Sequence, residues 1–134
     1  MTKFSQSPYA MRFHSPKNFL AAKLRNQLIA QLVQRGTLSS DSTIAAMHKV
    51  PRHIFVPDVP IQTAYEDRVV VTREQQGEVT STLSQPSAVG RMLEDLQVSP
   101  GMRVLEIGTG TGQHAVYFGR KLNHLIDRKS TRLN

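Results

Sequence analysis

Apolar residues first fall at helical spacing between Asn18 and Arg35. In "NFLAAKLRNQLIAQLVQR", Leu20, Leu24, Leu28 and Leu32 recur every fourth position, which gathers them on one face of an α-helix. Asn18 is the expected N-cap and Gly36 the stop. A second helix is expected over Thr43 to Lys49, capped from "SSDS" and ended by Pro51, which cannot continue it. The pattern then changes. "HIFVP" reads as a short extended piece held between prolines, and "DRVVVT" as a β-branched strand. "STLSQPSAVGRMLEDLQV" predicts a loop followed by a helix. Ser84 can cap that helix and Pro86 suits its first turn, with Val89, Met92, Leu93 and Leu96 as its core-facing residues. "SPG" is a turn, "MRVLEI" a buried strand and "GTGTG" a glycine loop, and a last helix runs from about Gln113 to Lys121. Residues 1–17 read as a polar arm.

Helix, turn, strand, glycine loop and helix in that order open a doubly wound α/β sheet. Residues 1–97 form a helical and loop region, and residues 98–134 the first βα unit of a ligand-binding domain. A lone strand and helix cannot complete a parallel sheet, whose strands are normally buried on both faces.

Composition narrows the classes. The 134 residues are 39% hydrophobic and 20% charged, with no cysteine and no long apolar run. A membrane span, a disulfide framework and thiol catalysis are not expected, and the N-terminus lacks the apolar core of a secretory signal; a cytoplasmic location fits. The formal charge of +7 is uneven: residues 120–134 hold a net +4 and residues 1–119 a net +3. A basic tail without an aromatic platform or a reading motif is a solvated end, so no nucleic-acid partner is expected. His48, His53, His114 and His124 show neither paired spacing nor an acid cluster, which argues against a metal site. Nothing sets an oligomeric state.

The candidate chemistry lies in "RVLEIGTGTGQHA", where Glu106 precedes Gly108, Gly110 and Gly112. Glycines at the carboxyl end of a strand let the backbone turn sharply and a ligand approach closely, and the following helix offers unpaired N–H groups. A dinucleotide fingerprint places its third glycine one residue later, where Gln113 stands. The carboxylate of Glu106 disfavours a pyrophosphate and suits a ligand with a cationic group or hydroxyls. S-adenosylmethionine has both and carries no phosphate. A dinucleotide site and a ligand-free turn are the alternatives at this level.

"VLEIGTGTG" resembles the first motif of class I S-adenosylmethionine-dependent methyltransferases. "VPRHIFVP", "AYEDR" and "TLSQPS" resemble the protein-L-isoaspartate O-methyltransferase family in the same order and at similar spacing. The resemblance implies a carboxyl O-methyltransferase that repairs L-isoaspartyl residues of proteins or peptides, with S-adenosylmethionine as its cofactor. It implies Gly108, Gly110 and Gly112 as the cofactor loop and Glu106 as its acid. It also implies Thr82 beside the cofactor and Ser84 as the active-site residue, with Gln85 and Pro86 completing the segment. Tyr65, Asp67 and Arg68 would fix the loop against the sheet.

Two departures stand out. Where isoaspartyl enzymes read G-x-G-Q-T-I-S, this chain has "REQQGEVTSTLS", with Gly77 farther upstream and Ser81 in the glutamine position. That stretch, with "VPDVP" and "VVVT", looks closer to relatives that methylate ribosomally made peptides, the FxLD-type maturation enzymes. After "VYFGRKLNH" the family pattern would continue into a second strand with a ribose-binding acid and further βα units. Here Asp127 is the sole candidate for that acid, so the chain reads as a C-terminally truncated member whose 134 residues alone transfer little or no methyl. A non-catalytic binding module is the alternative from a different class.

Overall fold

Pro16 opens the first helix of the computed structural model, which describes residues 16–122. Its elements are α1 (Pro16–Gln34), α2 (Asp41–Lys49), a 3-10 turn (Arg52–Phe55), α3 (Ile61–Ala64), β1 (Val70–Gln75), β2 (Glu78–Leu83), α4 (Pro86–Asp95) and α5 (Gln113–Leu122). The arm before residue 16 and residues 123–134, which hold His124, Asp127 and the rest of the basic tail, lie outside the described residues; Lys121, expected in a solvated basic end, is instead buried on α5.

The helical periodicity of α1 holds. Ala21, Leu28, Ile29 and Leu32 are its buried residues. The helix starts at Pro16, which suits a first turn because the missing N–H would be unpaired there anyway; Asn18 therefore lies within the helix and is not its cap. Gly36 does end it. With φ at +71°, Gly36 lets its own N–H bond to the Val33 carbonyl at 3.0 Å and that of Thr37 to the Leu32 carbonyl at 2.9 Å, a closure that uses the left-handed backbone glycine adopts without strain.

Ser40 caps α2, its side chain accepting the Thr43 N–H. Glu94, at the far end of α4, adds to this cap: its carboxylate accepts the backbone N–H groups of Ser39 and Ser40 at 3.2 and 3.1 Å and both serine hydroxyls. Burial raises the Glu94 carboxyl, but the hydrogen bonds from Ser40 and Ser39 outweigh it and hold its pKa below the ordinary value. Lys121 ties α5 to the same corner, donating from Nζ to Thr43 Oγ1 at 2.7 Å and to the Leu93 carbonyl at 3.2 Å. Around these links, Leu32, Leu38, Met47, Val50, Val89, Leu93 and Tyr117 form one buried core. Gly90 permits the close approach of α4, since a Cβ there would lie 2.6 Å from Leu38 Cδ2.

The structure revises several expectations. "HIFVP" is not extended: Pro51 and His53 carbonyls accept the Ile54 and Val56 N–H groups, closing the 3-10 turn that buries Arg52. The stretch before Ser84 is not a loop but the second arm of an antiparallel hairpin, with Val70 opposite Leu83 and Gln75 opposite Glu78. Gln76 and Gly77 turn the hairpin at φ of +53° and +80°, the left-handed pair that matches strand twist in a two-residue loop. "MRVLEI" forms no strand. β1 and β2 pair only with each other, so among the described residues no ladder partner lies beside residues 102–107, and Leu105 and Ile107 stand 86% and 88% exposed. Met92 and Leu96 are not core residues either. Val89 and Leu93 take the buried face of α4, and Met92 and Leu96 face a groove against this irregular stretch.

The Glu94 cap is open to test. Glu94→Ala is expected to lower unfolding stability by about 0.5–2 kcal/mol at pH 7, read by urea denaturation. Because the folded-state pKa is depressed, the contribution is present above the ordinary value of 4.5 and fades as pH falls through the folded value. The gap between wild type and variant should therefore close only below that point.

Candidate functional site

Ser84 sits in the two-residue link between β2 and α4, half-buried, directly before Gln85 and the buried Pro86. Pro86 opens α4 as expected, but Gln85, not Ser84, is the N-cap, and its side chain makes no cap hydrogen bond. The cap comes from a distance instead. Asp67 Oδ1 accepts the Ser87 N–H at 2.8 Å, supplying the side-chain oxygen that helix starts favour. Asp67 Oδ2 also lies 3.6 Å from Arg35. Asp67 thus fixes the first turn of α4 beside Ser84, where the expectation is a loop fixed against the sheet. Tyr65 bonds His53 Nδ1 at 2.9 Å, and Arg68 pairs with Glu66 on the surface. Thr82 is exposed on β2, opposite Val71.

The glycine loop takes the shape its composition requires. Gly108, Gly110 and Gly112 all have positive φ, at +73°, +56° and +86°, a region costly for β-branched side chains. Nothing lies within 4 Å of where a Gly108 Cβ would stand. α5 then begins, the Val116 N–H bonding the Gly112 carbonyl at 3.3 Å. Glu106 Oε1 lies 3.6 Å from His114 Nδ1, with both side chains partly buried. Glu106, Gly108 and His114 line one end of the groove, whose volume of about 320 Å³ continues between α4 and the 104–107 stretch and falls in the range of small-molecule sites.

One buried side chain joins the two segments. Arg52, 3% exposed, donates from Nη2 to the Ser84 carbonyl at 2.8 Å and from Nη1 to Gln113 Oε1 at 3.0 Å. Gln113, the first residue of α5 and fully buried, passes the link on by donating from Nε2 to the Tyr117 hydroxyl at 3.2 Å. Burial pushes that hydroxyl up to about 12, so it stays neutral and able to accept. Sequence reasoning missed Arg52, Gln113 and the pairing of His114 with Glu106. The one available signal for Arg52 was a charged residue inside the otherwise apolar "VPRHIFVP". Among the described residues no three of His, Asp and Glu gather as a metal would need, and no described helix is long and apolar enough to cross a membrane.

The chain as a whole has known relatives. The model of the protein-L-isoaspartate(D-aspartate) O-methyltransferase family matches residues 22–129. The chain belongs to that family. It is 41% identical over 91 residues to a protein-L-isoaspartate O-methyltransferase of Hyperthermus butylicus, covering 68% of this chain and 36% of that one. A Gloeobacter violaceus protein of the same description is 46% identical over 85 residues, covering 63% of this chain and 38% of its own length. Among solved structures, a protein-L-isoaspartate O-methyltransferase matches with a TM-score of 0.63 at 37% identity, over 73% of this chain and 30% of that one. A Plasmodium falciparum family structure in complex with S-adenosyl-L-homocysteine matches with a TM-score of 0.62 at 25% identity, over 72% and 41%. The chain therefore spans less than half the length of these relatives, and its mixed helix–strand fold is part of the isoaspartyl methyltransferase fold.

The cap on the Ser84 turn carries its own prediction. Asp67→Ala should cost about 1 kcal/mol of stability and raise amide exchange at Ser87 above that at Val89, whose N–H bonds the Gln85 carbonyl. Unchanged exchange at Ser87 would remove Asp67 from the cap.

Proposed function

We propose that this chain carries the acceptor turn and the cofactor loop of an S-adenosylmethionine-dependent carboxyl O-methyltransferase. Its acceptor is an L-isoaspartyl residue of a protein or peptide. The region of residues 1–97 supplies the acceptor side, and the region of residues 98–134 begins the cofactor side with its glycine loop and α5. The observation that carries the reading is the convergence on Arg52 of the Ser84 turn and the first residue after the glycine loop, segments whose motifs resemble those of the family.

The residues present fit the cofactor. Gly108 and Gly110 offer open backbone in the left-handed region, and Glu106 offers a carboxylate suited to an ammonium or to hydroxyls. Thr82 and Gly112 complete the contacts assigned to this side. Bound S-adenosylmethionine supplies a methyl group on a positively charged sulfur. That methyl would be passed to the acceptor carboxylate to give its methyl ester, a transfer for which an ionised carboxylate needs no base. No proton moves. Alignment of two reactants therefore contributes most of the acceleration, and Ser84, held at the mouth of the turn, orients the acceptor by hydrogen bonding. A cytoplasmic enzyme meeting protein and peptide chains agrees with this role.

A second reading keeps the chemistry and changes the acceptor. "REQQGEVTS" builds an exposed hairpin beside Ser84, and its outer backbone edge can receive an extended peptide as an added strand. That feature favours methylation of an ordinary aspartyl residue in a peptide undergoing maturation.

Calorimetry on the 134-residue chain should detect S-adenosyl-L-homocysteine binding, and Gly110→Val should abolish it; unchanged affinity in the variant removes the loop as the site. Acceptor choice needs a full-length relative in which residues 70–87 of this chain replace the corresponding segment. There, Ser84→Ala should lower kcat more than it weakens cofactor binding. Methylation of an isoaspartyl peptide alone supports repair, and methylation of the normal aspartyl peptide alone transfers the assignment to peptide maturation.

A further inference from the structure

Burying a cation without a carboxylate is costly, because the desolvation penalty is repaid only through good geometry and extra hydrogen bonds. Arg52 is such a cation. Among the described residues no acid lies within ion-pair distance of it, and its Nε is buried without a hydrogen-bond partner. Burial lowers its pKa, with Tyr117, Tyr65 and Asp67 opposing the shift. An apolar side chain of similar volume would fill the same space at less desolvation cost, so stability alone does not account for a guanidinium here.

Geometry does. The guanidinium is planar and its two terminal nitrogens diverge at a fixed angle. One arm holds the Ser84 carbonyl on the β2–α4 link at 2.8 Å, and the other holds Gln113 at the start of α5 at 3.0 Å. These acceptors lie 29 positions apart in sequence and belong to the acceptor turn and the cofactor loop. Asp67 fixes the far side of the Ser84 turn through the Ser87 N–H, and Tyr117 fixes the far side of Gln113. Each segment is thus anchored once to its own surroundings and once to Arg52.

We infer that Arg52 is a positioning residue: its rigid fork sets the offset between Ser84 and the glycine loop, and so the alignment of methyl acceptor and methyl donor. The inference rests on the proposed function for the meaning of that alignment, and on the two Arg52 hydrogen bonds for the link. Lysine, which keeps the charge but has one point donor on a flexible stem, cannot span both acceptors in a fixed plane.

The experiment perturbs one end of the link and reads the other. Gln113 has no hydrogen bond to Ser84, so a merely local role for Gln113 leaves Ser84 unmoved. In the isotope-labelled 134-residue chain, Gln113→Leu should displace the Ser84 carbonyl carbon resonance and speed amide exchange at Gly112 and Val116 about tenfold. Leu32→Val, which disturbs the core away from the link, should move none of these. Arg52→Lys should reproduce the Ser84 displacement, and adding Gln113→Leu to it should move Ser84 no further. An unmoved Ser84 carbonyl in Gln113→Leu overturns the inference, whether or not the Arg52 variant folds. Titration of wild type with S-adenosyl-L-homocysteine separates the two layers. A chain that binds none, yet shows the Ser84 displacement, refutes the functional reading and keeps the link. A chain that binds but shows no displacement does the reverse.

Discussion

A single guanidinium, taken out of water and given a main-chain carbonyl and a side-chain amide as its acceptors, holds this site together. The 3-10 turn that follows Pro51 brings Arg52 inward, and the core closes around it with Val50, Pro86 and Tyr117 among its lining residues. A charge in such surroundings is tolerable only where its partners are fixed. They are fixed by helix starts: Pro86 and the Asp67 cap set the first turn of α4, and three left-handed glycines deliver Gln113 to the first turn of α5. Losing any of these leaves a buried donor facing nothing, a penalty of about 1–3 kcal/mol for a neutral group and more for a charged one.

A second polar corner secures the same helices from the other side. Glu94, Ser40, Thr43 and Lys121 form a connected set in which a carboxylate at the end of α4 accepts from the start of α2, and an ammonium from α5 donates into both. The two networks differ in what they join. The Lys121 corner ties helix to helix and belongs to the scaffold. The Arg52 link ties the Ser84 turn to the loop that precedes α5, the two segments whose relative placement the proposed methyl transfer depends on.

How much of this could be read in the sequence depends on the range of the interaction that decides each element. α1, α2 and α5 are set by local spacing, and local caps such as Ser40 and Gly36 are visible in a few residues. The glycine loop was legible because positive φ at three alternating positions demands glycine. β2 escapes the pattern reading although Gly77 between "VVVTREQ" and "EVTSTL" is a hairpin signal, because the serines and proline of "STLSQPS" carry turn chemistry. Met92 and Leu96 obeyed helical spacing but face the groove, because an apolar stripe wider than the core contact leaves its margin uncovered. "MRVLEI" has a strand's composition, but a parallel strand forms only with neighbours, and composition cannot supply them. The Arg52 link is invisible in principle to pattern reading: its three members are 32 and 29 positions apart, and only the fold brings them together. Among the site residues, Ser84, Glu106 and the three glycines came from motifs, while Arg52, Gln113 and His114 came from geometry.

The central claim is the proposal that the Ser84 turn and the glycine loop are two halves of one cofactor-dependent methyl-transfer site. The most direct measurement is a titration of the isotope-labelled chain with S-adenosyl-L-homocysteine, followed amide by amide in nuclear magnetic resonance spectra. The account predicts saturable shifts at Gly108, Gly110 and Gly112 together with shifts at Ser84 and Gln85, transmitted through Arg52. Shifts confined to the surface of α1 or to the hairpin tip, with the glycine loop silent, would contradict it.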